Sequence, residues 1–471
     1  MEIELDHRLN AMDNLYGKMQ QMSQSYREWR QSGWQQGREN CLECFFSLYG
    51  AAEEAGVSLG EVKESLVPVI SGQNDPTILH NLGYILEQLS DSVKKMYLAC
   101  MHDEGSYQKV LLTNYYQTEF EYSALLLYLV YPFLFPDAPA GHTNQVEVKI
   151  IASQLRDCGY NVDIANTRYE REIDSKKYQL VIGAGRCFER VCMEATDTLC
   201  VCYLTESSPY FANIAELRRF RDFERRNHAK LPFERQSSNF LDLTALSRAS
   251  AAICIGNQKT VSTYEGMFDR IFQLNATGFC GRFQPQTCPK ENDSGKHFLW
   301  YGGAGPIHKG LDLCIEAFRK LPELKLHIVG EVTAEFYQFY REDIEKAENI
   351  LYYGFLAKDS DEFFAVCSQC GYCVSTSCSE GQSTSVITAM LAGMVPVCTP
   401  ETGLDLDDCG GIWLSDISVD GLAAKMRALS QIEAQQLSER QAAVFRYALE
   451  NHSAEHYQRQ LESILKRLVG G

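Results

Sequence analysis

The chain has 471 residues, with 44 Lys and Arg against 62 Asp and Glu, a formal net charge of −18. That excess of negative charge argues against a nucleic-acid partner. The 45% apolar and 23% charged content is that of a globular protein, and the length predicts two to four domains.

The opening residues, MEIELDHRLN, lack the basic start and apolar core of a secretory signal. The longest near-continuous apolar stretch, Ala124 to Phe135, contains Pro132 and falls short of the roughly 20 residues that span a bilayer. It reads as a buried helix, with a membrane-facing helix as the alternative. The expected location is the cytoplasm, with membrane association peripheral at most. The 18 Cys are scattered through apolar runs such as Cys200-Val-Cys202, as buried reduced thiols would be. Cys367, Cys370 and Cys373 have a spacing that zinc sites use, but they span a helix end and a buried strand, and no metal is expected.

Residues 1–105 carry 8 Lys and Arg against 16 Asp and Glu and no strand pattern. They read as a separate helical region, with Leu79, Leu82, Ile85, Leu86 and Leu89 on one face, and are a candidate docking module for a protein partner. From Lys109 short apolar runs alternate with helical stretches. Strands are expected at Lys109 to Asn114, Tyr160 to Ala165, Gln179 to Ile182, Leu199 to Tyr203 and Ala251 to Ile255. Helices are expected at Asn144 to Asp157 and Asn213 to Lys230. The basic face Arg218 to Arg226 reads as a solvated surface paired with Glu216, Asp222 and Glu224, with contact to an anionic acceptor or a membrane as the alternative.

A polar stretch from Ala276 to Gly295 reads as a linker. The alternation then restarts with strands at Phe298 to Tyr301, Leu324 to Val329, Ile350 to Tyr353, Tyr372 to Ser375, Val395 to Cys398 and Ile412 to Leu414. Helices fall at Gly310 to Lys320 and Thr384 to Leu391, and a last one runs from near Ser453 to Leu468. This order predicts an α/β chain with two doubly wound domains, 106–285 and 286–430, with 431–471 packing back on the first. A ligand belongs in the cleft where the carboxyl ends of the strands face each other.

Two stretches carry chemistry. After the Phe298 strand, Gly302, Gly303 and Gly305 allow a tight loop, and Lys309-Gly310 opens the next helix, a pattern suited to an anion. On the glycines alone an ordinary strand-to-helix turn is the simpler reading. After the Tyr372 strand, the amides of Gly381, Gln382 and Ser383 are placed to meet a phosphate, and Glu380 to accept from ribose hydroxyls. Polar residues at the first domain's side of the cleft, His142, Asn144, Thr205 and Glu206, are candidates for an acceptor site.

Together Lys309-Gly310, Val329-Gly330, Glu380-Gly381, Ala389-Met390 and Gly393 to Val397 resemble the family 4 glycosyltransferases of the two-domain GT-B fold, over about 120 residues from His297 to Gly411. The resemblance implies retaining, metal-independent sugar transfer from a nucleotide-sugar donor to a glycan, lipid-linked or protein acceptor, as in polysaccharide biosynthesis. The nucleotide sugar is a co-substrate and no cofactor is implied. Lys309 and Glu380 carry the catalytic roles. The donor is held by Gly302, Gly303, Lys309, Gly310, Gly330 and the Glu380 to Ser383 segment, and the departing diphosphate by Lys309 and the amides near Gly381 to Ser383. Two departures stand out. Gly303 or Ala304 occupies the place of the family's phosphate-binding Arg, and Thr388 that of its second Glu. They favour an alternative, a GT-B-like binding or partner protein without turnover.

Overall fold

The structure, a computed structural model, describes residues 14–15, 18–19, 21–22, 25, 38–55, 108–136, 140–235, 243–279, 290–291 and 293–469. The chain divides into two compact units, residues 1–109 and 110–471. In the first, Arg38–Ala55 is a helix whose inner face includes Phe45, Leu48 and Ala52. The expected apolar face from Leu79 to Leu89 lies outside the described residues, as do positions 280–289 and 292 of the expected linker.

The second unit contains two sheets. The first is formed by β1 (Leu111–Leu112), β2 (Tyr122–Tyr128), β3 (Tyr160–Asn166), β4 (Leu180–Gly183), β5 (Leu199–Leu204), β6 (Ala251–Ile255) and β7 (Ile271–Leu274) in the order 1-3-2-4-5-6-7. All neighbours are parallel except β1, which pairs antiparallel at the β3 edge. The second comprises β8 (His297–Tyr301), β9 (Lys325–Val329), β10 (Ile350–Gly354), β11 (Tyr372–Ser375), β12 (Val395–Cys398) and β13 (Ile412–Trp413), all parallel, in the order 10-9-8-11-12-13. Strand order reverses between β2 and β4 in one sheet and between β8 and β11 in the other. In open α/β sheets ligands bind outside the carboxyl ends at such reversals.

The first sheet departs from the sequence expectation twice. Lys109 to Asn114 is not a buried parallel strand: two residues pair at the edge, and the chain then turns through positive φ at Asn114 and Gln117. The run expected to be one helix, Ala124 to Phe135, is instead β2 followed by a short helix from Tyr131 with Pro132 in its first turn. Ala124, Leu125, Leu126 and Leu127 are all fully buried, because helices cover both faces of the sheet. A strand buried on both faces has no polar alternation, so its pattern matches that of a buried helix.

Cys187, Cys192, Cys200, Cys202 and Cys254 pack with Leu125, Leu127 and Phe188 in the core of this sheet. Burial pushes the Cys187 thiol up to about 11, so it stays protonated and behaves as a small hydrophobe. Cys367, Cys370 and Cys373 are likewise buried.

The C-terminal helices tie the sheets together. Ala434–Asn451 packs on Thr384–Leu391 and β12 of the second sheet, whereas Ala454–Val469 packs on Thr143–Asp157 and β7 of the first. A buried hydrogen bond of 2.9 Å joins the Tyr203 and Tyr457 hydroxyls. The chain therefore crosses between the domains twice, at 275–279 and at 451–453, and the crossings are bonded. The His452 Nδ1–H donates to Ala276 O at 2.9 Å, and the Gly278 N–H to His452 O at 3.0 Å. No helix among the described residues is long and apolar enough to cross a membrane.

Candidate functional site

The carboxyl ends of the two sheets face each other across a cavity of about 280 Å³. Lys309 reaches it from the turn before the Leu311–Phe318 helix, and Glu380 from the loop after β11. Their side chains form a buried ion pair, Lys309 Nζ to Glu380 Oε1 at 2.5 Å. The Ser377 hydroxyl donates to the same oxygen at 3.1 Å, and Arg235 Nη1 stands 3.5 Å from Glu380 Oε2.

Burial pushes the Glu380 carboxyl toward the protonated form, but the Lys309 and Arg235 cations outweigh it and hold the group well below the usual carboxylate range. Glu380 is therefore an anion throughout the neutral range. Burial pushes His308 the other way, down to about 4. His308 is neutral, and its Nε2–H donates to Ser379 O at 2.7 Å, which fixes the loop beneath Glu380 rather than adding a cation.

Of the residues singled out in the sequence, His142, Asn144, Thr205, Glu206, Lys309, Glu380, Gly381, Gln382 and Ser383 all line this cavity. Their roles differ. His142 caps the Thr143–Asp157 helix, its Nδ1 accepting from Asn144 N–H at 3.2 Å. Thr205 contributes its carbonyl, which a Cβ at Gly381 would approach to 2.2 Å. Glu206 pairs with Arg235 at 3.4 Å.

The Ser383 amide is not available to a phosphate, because it donates to Thr402 O at 3.0 Å. The start of the Thr384–Leu391 helix also faces the cavity, where Thr384 and Ser385 line the wall. First-turn amides have no partner within their own helix.

Gly302, Gly303, Gly310 and Gly330 lie outside the cavity wall. Gly330, at φ +133°, meets the Gly302 carbonyl so closely that a Cβ would stand 1.7 Å away, and Gly310, at φ +70°, packs on the Thr376 hydroxyl. These glycines let strand ends and loops stack, and so set the height of Lys309.

The site also uses residues that the motifs did not flag. The loop from Glu380 to Gln382 is bonded directly to the first domain. Ser207 Oγ donates to Glu380 O at 2.6 Å, Thr260 Oγ1 to Gly381 O at 2.9 Å, and the Ala276 N–H to Gln382 Oε1 at 2.7 Å. Asn257, which caps the helix after β6, donates through Nδ2 to Leu404 O at 2.9 Å. An Asn two residues after an expected strand is a cap signal that would have pointed here.

Glu147 is the second buried acid at the cavity. It accepts from both the amide and the hydroxyl of Thr277, at 2.7 and 2.9 Å, and burial raises it to about 7. A glutamate on the apolar face shared by Val148, Ile151 and Leu155 was its signal in the sequence.

The basic helix Pro209–Asn227 is solvated at Arg218, Arg221 and Arg225 but not at Arg219 and Arg226. Arg219 is buried and donates to Thr376 O at 2.7 Å. Arg226 bonds Asp312 Oδ2 at 2.5 Å and also Glu316, both on the second domain's first helix. Asp222 takes the expected pairing, with Arg225 at 3.0 Å and Arg226 at 3.5 Å.

Residues 295–431, the segment that carries β8 to β13, match the model of the family described as glycosyl transferases group 1. Among solved structures, a glycosyltransferase from Rickettsia africae aligns at 12% identity and a TM-score of 0.50, over 74% of this chain and 99% of that one. Sucrose-phosphate synthase from Thermosynechococcus elongatus aligns with the same identity, TM-score and coverage. A mutant of S. aureus TarM aligns at 14% identity and a TM-score of 0.44, over 68% of this chain and 58% of TarM, so the chain spans little more than half of that protein's length. No curated protein matches the chain. The fold is GT-B, and its C-terminal Rossmann-like domain is similar to the group 1 glycosyltransferases.

Proposed function

We propose that the protein is a retaining glycosyltransferase that takes a sugar from a nucleotide-sugar donor held between Lys309, Glu380 and the start of the Thr384–Leu391 helix. The observation that carries this reading is the buried Lys309–Glu380 pair at the facing strand ends, 2.5 Å apart and flanked by a second cation.

In the transfer, the bond from the anomeric carbon to the diphosphate oxygen breaks, with its electron pair left on the diphosphate. The acceptor oxygen bonds to that carbon from the same face, and its proton passes to the departing phosphate oxygen. Lys309 and the helix amides offset the charge that develops on the leaving group. Glu380, held as an anion, stands where it can accept from donor hydroxyls and offset positive charge on the sugar ring. Side chains supply the leaving-group cations, so the proposed chemistry needs no metal. The acceptor approaches past His142, Asn144 and Glu206, and a glycan, a lipid-linked sugar or a glycosylated protein suits such a polar wall.

One observation favours a second reading, a nucleotide-binding partner protein without turnover. Thr388 is buried, donating to Thr384 O at 2.8 Å and accepting from Phe279 N–H at 3.3 Å, so it leaves a ribose without the carboxylate that the related family places there.

Thermal unfolding of wild type and Lys309→Ala with nucleoside diphosphates and nucleotide sugars tests the donor site. A ligand at about 100 times its dissociation constant adds about 2.7 kcal/mol of stability, so one nucleotide should raise the wild-type midpoint and lose most of that effect in the variant. No shift with any nucleotide would contradict the donor reading. A shift without release of nucleoside diphosphate from any nucleotide sugar would favour the partner protein.

A further inference from the structure

The glycine loop after β8 carries no cation of its own, since Gly302, Gly303, Ala304 and Gly305 lead directly into Pro306. A guanidinium nevertheless stands beside it, supplied by the other domain. Arg235 follows the Pro209–Asn227 helix, and its Cγ and Cδ pass over Gly305, where a Cβ would stand 2.6 Å from both. Gly305 also has φ +84°, so both its backbone and the overlying arginine exclude a larger residue.

The segment is anchored on both sides. The Arg235 N–H donates to Glu216 Oε1 at 3.0 Å within its own domain. Glu234 accepts from Gly305 N–H and from the Thr333 hydroxyl, each at 3.0 Å, and so binds two loops of the second domain. The Arg235 head lies between one carboxylate from each domain, 3.5 Å from Glu380 and 3.4 Å from Glu206. Both separations exceed the 2.7 to 2.9 Å of a tight charge-assisted bond. Among the described residues two of the five N–H donors of the guanidinium are engaged, and the group lines the same cavity as Lys309.

We propose that Arg235 is the second diphosphate-binding cation of this site, delivered across the cleft, so that the donor pocket is complete only when the two domains are closed on each other. The inference rests on the nucleotide-sugar reading above. A diphosphate brings more negative charge than Lys309 can offset while it also neutralises Glu380. A planar guanidinium beside that pair supplies the missing charge in a bidentate geometry suited to phosphate. Because the two cations belong to different domains, a diphosphate that bridges them favours the closed form, and opening weakens its hold on the product.

The test is calorimetric titration of the full chain with UDP, GDP and ADP and with the corresponding nucleosides, in wild type, Arg235→Gln, Arg235→Lys and Glu234→Ala. Arg235→Gln should weaken the preferred diphosphate by about tenfold or more while leaving its nucleoside nearly unchanged, as expected for loss of a charged phosphate contact. Glu234→Ala should shift diphosphate affinity in the same direction, and Arg235→Lys should fall between wild type and Arg235→Gln.

Equal diphosphate affinity in wild type and Arg235→Gln would overturn the inference, as would an equal loss for nucleoside and diphosphate, which marks a structural role. Should Arg235→Gln fail to fold, unchanged diphosphate affinity in both Arg235→Lys and Glu234→Ala would overturn it. Failure of wild type to bind any of the three diphosphates would instead remove the donor reading, and this inference with it.

Discussion

Glu380 is surrounded by Lys309, Arg235 and Ser377, which makes its charge and its position inseparable. Glu380→Gln keeps the shape and removes the anion. The expected result is a loss of about a hundredfold or more in transfer rate with nucleoside diphosphate affinity unchanged or tighter, because two cations lose the carboxylate that they now share. Equal loss of rate and diphosphate affinity would contradict this role, with steady-state kinetics and calorimetry as the checks. Glu147 makes one pH-dependent contribution to stability. Burial raises it from the ordinary carboxyl value of 4.5 to about 7, so between those values the folded state holds a proton that the unfolded state has released. Its stabilising contribution is present below about 4.5 and lost as pH rises through about 7. Glu147→Gln should remove that decline, so the variant gains on wild type by about 3 kcal/mol across this window, measured by denaturant unfolding at a series of pH values. A gap that does not widen with pH would contradict the assignment. Lys309 and Glu380 were legible in the sequence because glycine loops and helix starts mark them. Arg235 was not, because it acts from a loop 145 residues from its partner, and no local pattern records such a contact.

At the scale of elements, the Pro209–Asn227 helix joins the domains through Arg219 and Arg226. Arg226 neutralises Asp312, which is fully buried and which burial pushes up to about 6 against the pull of Arg219 and Arg226. Removing Arg226 leaves two buried carboxylates without the cation that bonds them both, so Arg226→Ala should destabilise the protein by about 3 kcal/mol by denaturant unfolding. A change below about 0.5 kcal/mol, the size of an ordinary surface substitution, would show that the pair is an exposed-type contact. The basic run was visible in the sequence, but its orientation was not. Helical spacing places Arg219 and Arg226 on one face, and only the packing of the second domain shows that this face is covered. The strand error has the same origin. Tyr372–Ser375, Thr384–Leu391 and Val395–Cys398 have the bounds that their glycine and polar punctuation predicted. β2 runs into a following helix with only Leu129 and Val130 between them, so nothing in its composition marked where one element ended.

For the whole molecule, the facing sheets and the two bonded chain crossings make domain closure the variable that assembles the site. Lys309 and Glu380 come from one domain, and Arg235, Ser207 and Thr260 from the other. The overall plan was legible because two runs of alternating strands and helices, separated by a polar stretch, encode two parallel sheets. The closed arrangement was not, because it depends on hydrogen bonds between loops that lie up to 217 residues apart. The most direct test is a crystal structure of the full chain with the nucleoside diphosphate that stabilises it most. The account predicts the diphosphate in the cavity between the sheets, bonded to Lys309 Nζ and to amides at the start of the Thr384–Leu391 helix, with the domains closed over it. A nucleotide bound away from Lys309, or a cavity still filled by the undisturbed Lys309–Glu380 pair at saturating nucleotide, would contradict it.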